Sequence, residues 1–222
     1  MGRREDAKAE RRERIVKAAR ELIRETGDTG LSMRALARRA GVSLTTPYNL
    51  FGSKRAIVLG AVQDNKAFAE GLEAYRNAGV LERIFGALSV ASRIYVADQR
   101  FYMALFQTLF DISGGAEYRH FFGPGRHAFW RALVSEAIDE GLLDPDVDLD
   151  LFTQALEQSI LSTLMQWVLG DIEAQHLEPG MHYGFALVLG GAATDRSRAD
   201  LTARRRAREA ELKKLGLTGR YD

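Results

Sequence analysis

Apolar residues along this chain recur at spacings of three and four, and nowhere settle into the every-second-residue alternation of a half-buried strand. That period commits the chain to an all-α fold. Only 4 prolines occur, mostly at candidate helix boundaries. The first segment, 7–26, puts Ile15, Ala19, Leu22 and Ile23 on one stripe of a basic helix that Gly27 stops. Beyond Asp28, Thr29 and Gly30, Ser32 is the expected N-cap of a short helix to Ala40, with Leu36 and Ala37 facing inward. Gly41, Val42 and Ser43 form a tight turn into a second short helix over about 44–51. Gly52 and Ser53 then introduce a long helix to about Asn77 that buries Ile57, Ala61, Val62 and Phe68. Further helices are expected over 79–97, 98–112, 117–142, 148–170, 180–194 and 197–215.

Charge is divided unevenly along this helical chain. Residues 1–60 hold 14 Lys and Arg against 7 Asp and Glu, whereas the remainder holds 17 against 23, inside a net charge of +1. A basic head on an acidic body suits a partner that is a polyanion. Two short helices joined by a glycine-containing turn, lying inside that head, form a helix-turn-helix unit. Its second helix presents Thr45, Thr46 and Asn49, side chains able to hydrogen-bond phosphates or base edges.

The stretch Leu31-Ser32-Met33-Arg34-Ala35-Leu36-Ala37-Arg38-Arg39-Ala40-Gly41-Val42-Ser43 resembles the TetR family of repressors. So does its continuation, Thr45-Thr46-Pro47-Tyr48-Asn49-Leu50-Phe51-Gly52-Ser53-Lys54. The resemblance rests on the order Ala-Gly-Val-Ser, then Tyr-x-x-Phe, then Ser-Lys, and covers roughly residues 10–62. It implies a three-helix DNA-binding head, residues 1–53, and a larger helical ligand-binding and dimerisation bundle, residues 54–222. It also implies that Tyr48 and Lys54 contact phosphates, that Thr45, Thr46 and Asn49 face the major groove, and that Arg34 reaches a base or phosphate. The same residues fit plainer roles: Tyr48 as a core aromatic joining the two helices, Lys54 as a solvated lysine, Arg34 in a surface ion pair. Leu36, Val42, Leu50 and Phe51 read as core. Two positions depart from the family pattern. Pro47 stands where an aliphatic residue is commoner, and is tolerable only in or beside the first helical turn. Arg55 replaces a residue that is often acidic.

In the body, nine of the 20 aromatic residues fall within 101–130: Phe101, Tyr102, Phe106, Phe110, Tyr118, Phe121, Phe122, Phe129 and Trp130. Such a cluster either packs the core or lines an apolar pocket between helices. The resemblance favours a small-molecule effector held by some of them, and Phe106, Gln107, Phe110, Trp130, Gln158 and Trp167 are the candidate contacts. Residues 148–170 and 180–194 are candidates for a homodimer interface, the second through Gly184, Gly190, Gly191, Ala192 and Ala193, which equally suit packing within one subunit. The last helix, with eight Lys and Arg between Arg196 and Lys214, reads as a solvated amphipathic helix.

Other classes of function find little support. The chain has no cysteine, and its histidines, at 120, 127, 176 and 182, lack metal-ligand spacing. Gly123-Pro124-Gly125-Arg126-His127-Ala128 imitates a dinucleotide fingerprint but follows no strand, reading instead as a loop before a helix. No Gly-x-Ser-x-Gly elbow occurs. The charged stretch 1–14 is no signal peptide, and the longest apolar run, 185–193, is too short to span a bilayer. A soluble cytoplasmic regulator without catalytic residues, metal or cofactor is the expectation, binding a double-stranded DNA operator and an effector. A regulator with no ligand, or an all-helical enzyme or carrier, are the alternatives.

Overall fold

The computed structural model describes residues 3–27, 29–60, 66–110 and 124–217. Among them are eleven α-helices and no strand, as the three-and-four spacing requires. In order they are α1 (Arg3–Thr26), α2 (Met33–Ala40), α3 (Thr46–Phe51), α4 (Lys54–Gly60), α5 (Lys66–Leu72) and α6 (Val80–Ala97). There follow α7 (Gln99–Phe110), α8 (Pro124–Asp139), α9 (Leu149–Leu169), α10 (Leu177–Gly191) and α11 (Asp195–Lys214). The long helix expected to reach Asn77 is described as α4, α5 and a 3-10 turn, Glu73–Tyr75. Asp28, Ala61, Val62, Tyr118, His120, Phe121, Phe122 and Gly123 lie outside the described residues. The fingerprint-like sequence around Gly125 is mostly helix, since α8 begins at Pro124, where a proline's missing N–H costs nothing.

The chain divides into two compact units, Met1–Lys66 with Asp98–Phe121, and Ala67–Ala97 with Phe122–Asp222. In the first, α1 buries Ile15, Ala18, Ala19 and Ile23 and packs against α2, α3, α4 and α7. Withdrawing each of the larger side chains from water is worth roughly 1.5–3 kcal/mol. Arg20 and Arg24 reach from α1 to Asp98, at 3.1 and 2.6 Å, just before α7. Burial pushes the Asp98 carboxyl up, but hydrogen bonds from Arg24 and Arg20 outweigh it and hold the group below the ordinary carboxylate range.

In the second unit α10 packs against α6, α9 and α11, and α8 lies on α6 and α9. Asp148 starts α9 by accepting from Leu151 N at 2.8 Å, and Gly170 ends it at φ 79°. A Cβ at Gly184 would run into the Ser159 side chain, so this glycine lets α10 approach α9 within one subunit. Gly190 and Gly191, by contrast, face open space. Trp130 meets Phe185 and Phe129 edge-on with ring centroids 5.0 Å apart, and Phe129 meets Phe68 at 5.8 Å. The last helix is laced by pairs such as Arg204–Asp200, Arg205–Glu209 and Lys213–Glu209, the pattern of a solvated face.

Among the buried titratable groups of this unit is a histidine of α10. His182 packs on the Phe85 ring at 5.3 Å, and its Nε2 is 3.0 Å from Ser89 Oγ, itself 2.6 Å from Glu178 Oε1. Burial, helped by Arg208 and Arg204 and opposed by a hydrogen bond to the Phe85 backbone, pushes its pKa down to about 4 from 6.5. The fold therefore holds the ring neutral while the unfolded chain takes up a proton below pH 6.5. Stability from this site is complete above 6.5 and declines as pH falls towards 4, by at most about 3 kcal/mol. His182→Gln should show a shallower loss of urea midpoint than the wild type between pH 6.5 and 4; parallel pH profiles would refute the assignment.

Candidate nucleic-acid interface

The turn between α2 and α3 is built by backbone geometry that one residue type favours. Gly41 ends α2 in the left-handed region (φ 64°, ψ 42°), its N–H donating to Arg38 O while Val42 N donates to Ala37 O. These are the two bonds of a Schellman motif, and a side chain at Gly41 would cost about 1–2 kcal/mol. At the other end of α2, Ser32 Oγ accepts from Ala35 N at 3.4 Å, as its sequence position predicts. Leu36 and Ala37 are buried. Ser43 then lies 2.8 Å from Thr46 Oγ1 and 3.1 Å from Thr45 Oγ1, tying the turn to the start of α3.

Helix α3 begins at Thr46, two residues later than expected, with Thr45 at its N-cap. Pro47 thus stands at the second helical position, where the chain needs no N–H from it, and it is buried. Its neighbours turn outward. Thr45 and Asn49 are exposed four residues apart, and Tyr48 is 47% exposed, so Tyr48 is not the core aromatic that joins the two helices. Thr46 is half-buried, its hydroxyl engaged by Ser43. Arg34 projects from the exposed side of α2. Lys54 is half-buried at the first position of α4, directly after Ser53, whose Oγ accepts from Ala56 N at 3.0 Å. Val42, Leu50 and Phe51 are half-buried rather than core.

One contributor to this surface has no local signature. Arg12 of α1 donates to Leu50 O in the last turn of α3, and its guanidinium lies 4.3 Å over the Phe51 ring. It thereby caps the carbonyl end of the helix that presents Tyr48 and Asn49. The only hint in the sequence is that Arg12 lies three residues before Ile15, on the same side of α1 as the apolar stripe. Arg39, similarly, is held by Glu25 at 2.6 Å.

The candidate ligand residues fall in both units. In the first, Phe106 is fully buried and stacks on Phe110 at 6.1 Å, while Gln107 is exposed. In the second, Trp130 and Trp167 are buried and Gln158 is exposed, on the same face of α9 as Gln154 and Ser162. Neither glutamine accompanies the buried rings. A shallow depression of about 470 Å³ on the exposed side of α11 is lined by Asp195, Arg198, Ala199, Thr202, Ala203 and Arg206, none of them a ligand candidate.

Residues 15–61 match the family model of bacterial regulatory proteins, tetR family. Solved structures resemble the chain well beyond that segment. The fatty acid degradation regulator FadR of Bacillus halodurans is 20% identical with a TM-score of 0.63, covering 81% of this chain and 98% of its own. TylP, a TetR regulator from Streptomyces fradiae, is 19% identical with a TM-score of 0.58, covering 91% and 97%. The transcriptional repressor QsdR of R. erythropolis is 19% identical with a TM-score of 0.56, covering 83% and 96%. At these identities the likeness is one of fold. No curated protein matches the sequence.

Because Arg12 couples α1 to the end of α3, Arg12→Ala should lower stability by about 1 kcal/mol through loss of the stacking and the carbonyl bond. Arg12→Lys should restore little of it, since an ammonium neither stacks flat nor forks. Thermal unfolding followed by circular dichroism measures both, and an unchanged Tm in Arg12→Ala would refute the anchoring role.

Proposed function

The chain belongs to the TetR family of bacterial regulatory proteins, and on that premise we propose that it is a cytoplasmic repressor released from its operator by a small apolar or aromatic ligand. One observation carries the DNA-binding part of this reading. Arg34 in the first turn of α2, and Thr45, Tyr48 and Asn49 at the start of α3, all stand exposed within the segment where cations outnumber anions two to one. Hydroxyl and amide groups there are suited to base edges, and Lys54 and Tyr48 to phosphates that fix the register of α3 in the major groove. Residues 1–53 take the role of reading DNA, and residues 54–222 those of ligand binding and assembly.

Assembly as a homodimer is supported by the outer face of α9. Leu151, Met165 and Leu169 are 67, 41 and 69% exposed along it, with Leu187 of α10 at 46%. A two-fold interface built on these residues would pair two heads and require a roughly palindromic operator. Effector binding is assigned to the aromatic residues, Phe106 and Phe110 of the first unit or Trp130 and Trp167 of the second. Release then requires the effector to prefer a conformer whose heads no longer fit both half-sites. A coupling of roughly 1–3 kcal/mol relieves repression about 5- to 150-fold. The tie from α1 to Asp98 supports this route, because it fastens the reading head to the start of the helix that carries Phe106, Gln107 and Phe110.

Two measurements follow. Lys54→Ala should weaken binding evenly across sequences and reduce the salt dependence by about one unit of log–log slope, whereas Asn49→Ala should blur sequence preference at a cost of about 1–3 kcal/mol. Wild-type affinity, slope and specificity in both variants would remove the recognition assignment. For assembly, light scattering should report a dimer at micromolar concentration, and Leu169→Glu should yield monomers with diminished operator affinity; a wild-type monomer that binds a palindrome at full strength would contradict the interface.

A further inference from the structure

The recognition surface contains one side chain that DNA-binding chemistry based on charge and hydrogen bonds leaves without a task. Leu44 is 47% exposed, and within the first compact unit only it and Tyr48 are strongly exposed large apolar residues among those described. A single exposed leucine on a protein surface is ordinary. Leu44, however, sits in the α2–α3 turn directly before the N-cap of α3, between Ser43 and Thr45.

An apolar residue just before an N-cap usually folds back onto an apolar residue at the fourth helical position, where the pair staples the chain's entry into the helix. Here that fourth position is Asn49, polar and exposed. The staple has no second half, so Leu44 stays outside. Its neighbours Ser43, Thr45 and Asn49 are polar and exposed, and the segment carries a twofold excess of cations. A polyanion is the partner that fits the charge, and in the major groove of B-DNA the apolar feature on offer is the 5-methyl group of thymine.

We propose that Leu44 reads the 5-methyl group of a thymine in each operator half-site. This rests on the DNA-binding reading given above and adds to it a base identity. Leu44 packs on the methyl while Asn49 makes the polar contact to base edges beside it. The methyl lost from water corresponds to about a fourfold change in affinity.

The test begins with selection of preferred duplexes by the wild-type protein from a random pool. Each enriched thymine is then replaced singly by deoxyuridine, which keeps its pairing and every groove hydrogen bond and deletes only the methyl. One position per half-site should weaken wild-type binding about fourfold. Leu44→Ala should bind the thymine duplex about as weakly as the wild type binds the uracil one, and should be indifferent to the replacement. Leu44→Met, which keeps an apolar tip, should retain part of the discrimination. The salt dependence should be unchanged in both variants, unlike that of Lys54→Ala, and circular dichroism should show both folded, as their position is exposed. If no position responds to loss of the methyl, or if Leu44→Ala responds as strongly as the wild type, the inference fails while the DNA-binding reading stands. If no sequence is enriched at all, both fail together.

Discussion

The first unit depends on one helix. α1 buries Ile15, Ala18, Ala19 and Ile23, and α2, α3, α4 and α7 all pack against it. Its polar side chains finish what the stripe begins. Arg12 holds the last turn of α3, and Arg20 and Arg24 hold Asp98 ahead of α7. A rotation of α1 about its axis would therefore move both the reading helix and the start of α7. This makes the compact units differ from a simple division by role. α7 is distant in sequence from the α2–α3 turn, yet it belongs to the same unit. Close-packed interiors transmit such displacements instead of absorbing them.

Much of the head was legible because its determinants are local. Ser32 three residues before Ala35, Gly41 at the end of an eight-residue helix and Ser53 before Lys54 each satisfy backbone groups within one turn of themselves. Short-range signals of this kind are written in adjacent residues. Pro47 is the instructive case, since its tolerance depended on where α3 began, and the start at Thr46 places it where no N–H is needed. What the sequence left open was long-range. Arg12 to Leu50 spans 38 residues and Arg24 to Asp98 spans 74, and no spacing rule connects such pairs.

Helix faces were legible only where one side is plainly polar. α9 carries apolar residues around much of its circumference, so periodicity could not tell that Trp167 lies inside while Leu151 and Gln158 face outward. The same ambiguity attached to Gly184, whose smallness suited an interface between subunits or within one; its opposition to Ser159 shows that it serves the packing of α9 on α10. Leu44 presents the converse case. A leucine before an N-cap reads as half of a staple, and only its exposure reveals that the other half is absent.

The internal ion pairs also bear on how strongly the head can bind a polyanion. The formal excess of cations over residues 1–60 overstates what faces a phosphate backbone. Arg12 is turned onto Leu50 and Phe51, Arg20 and Arg24 onto Asp98, and Arg39 onto Glu25. These four guanidinium groups hold the head together, and counterion release on binding depends on cations brought against phosphates, not on net charge. The electrostatic contribution of the head should accordingly fall well short of its full complement of 14 Lys and Arg. In the proposed dimer, two heads on one duplex would double that contribution without strengthening either, and dimerisation would then give the affinity that a single sparsely charged surface lacks. On the proposed reading, sequence preference then falls to the few uncharged side chains at the turn, Leu44, Thr45 and Asn49 among them, more than to the abundance of arginine around them.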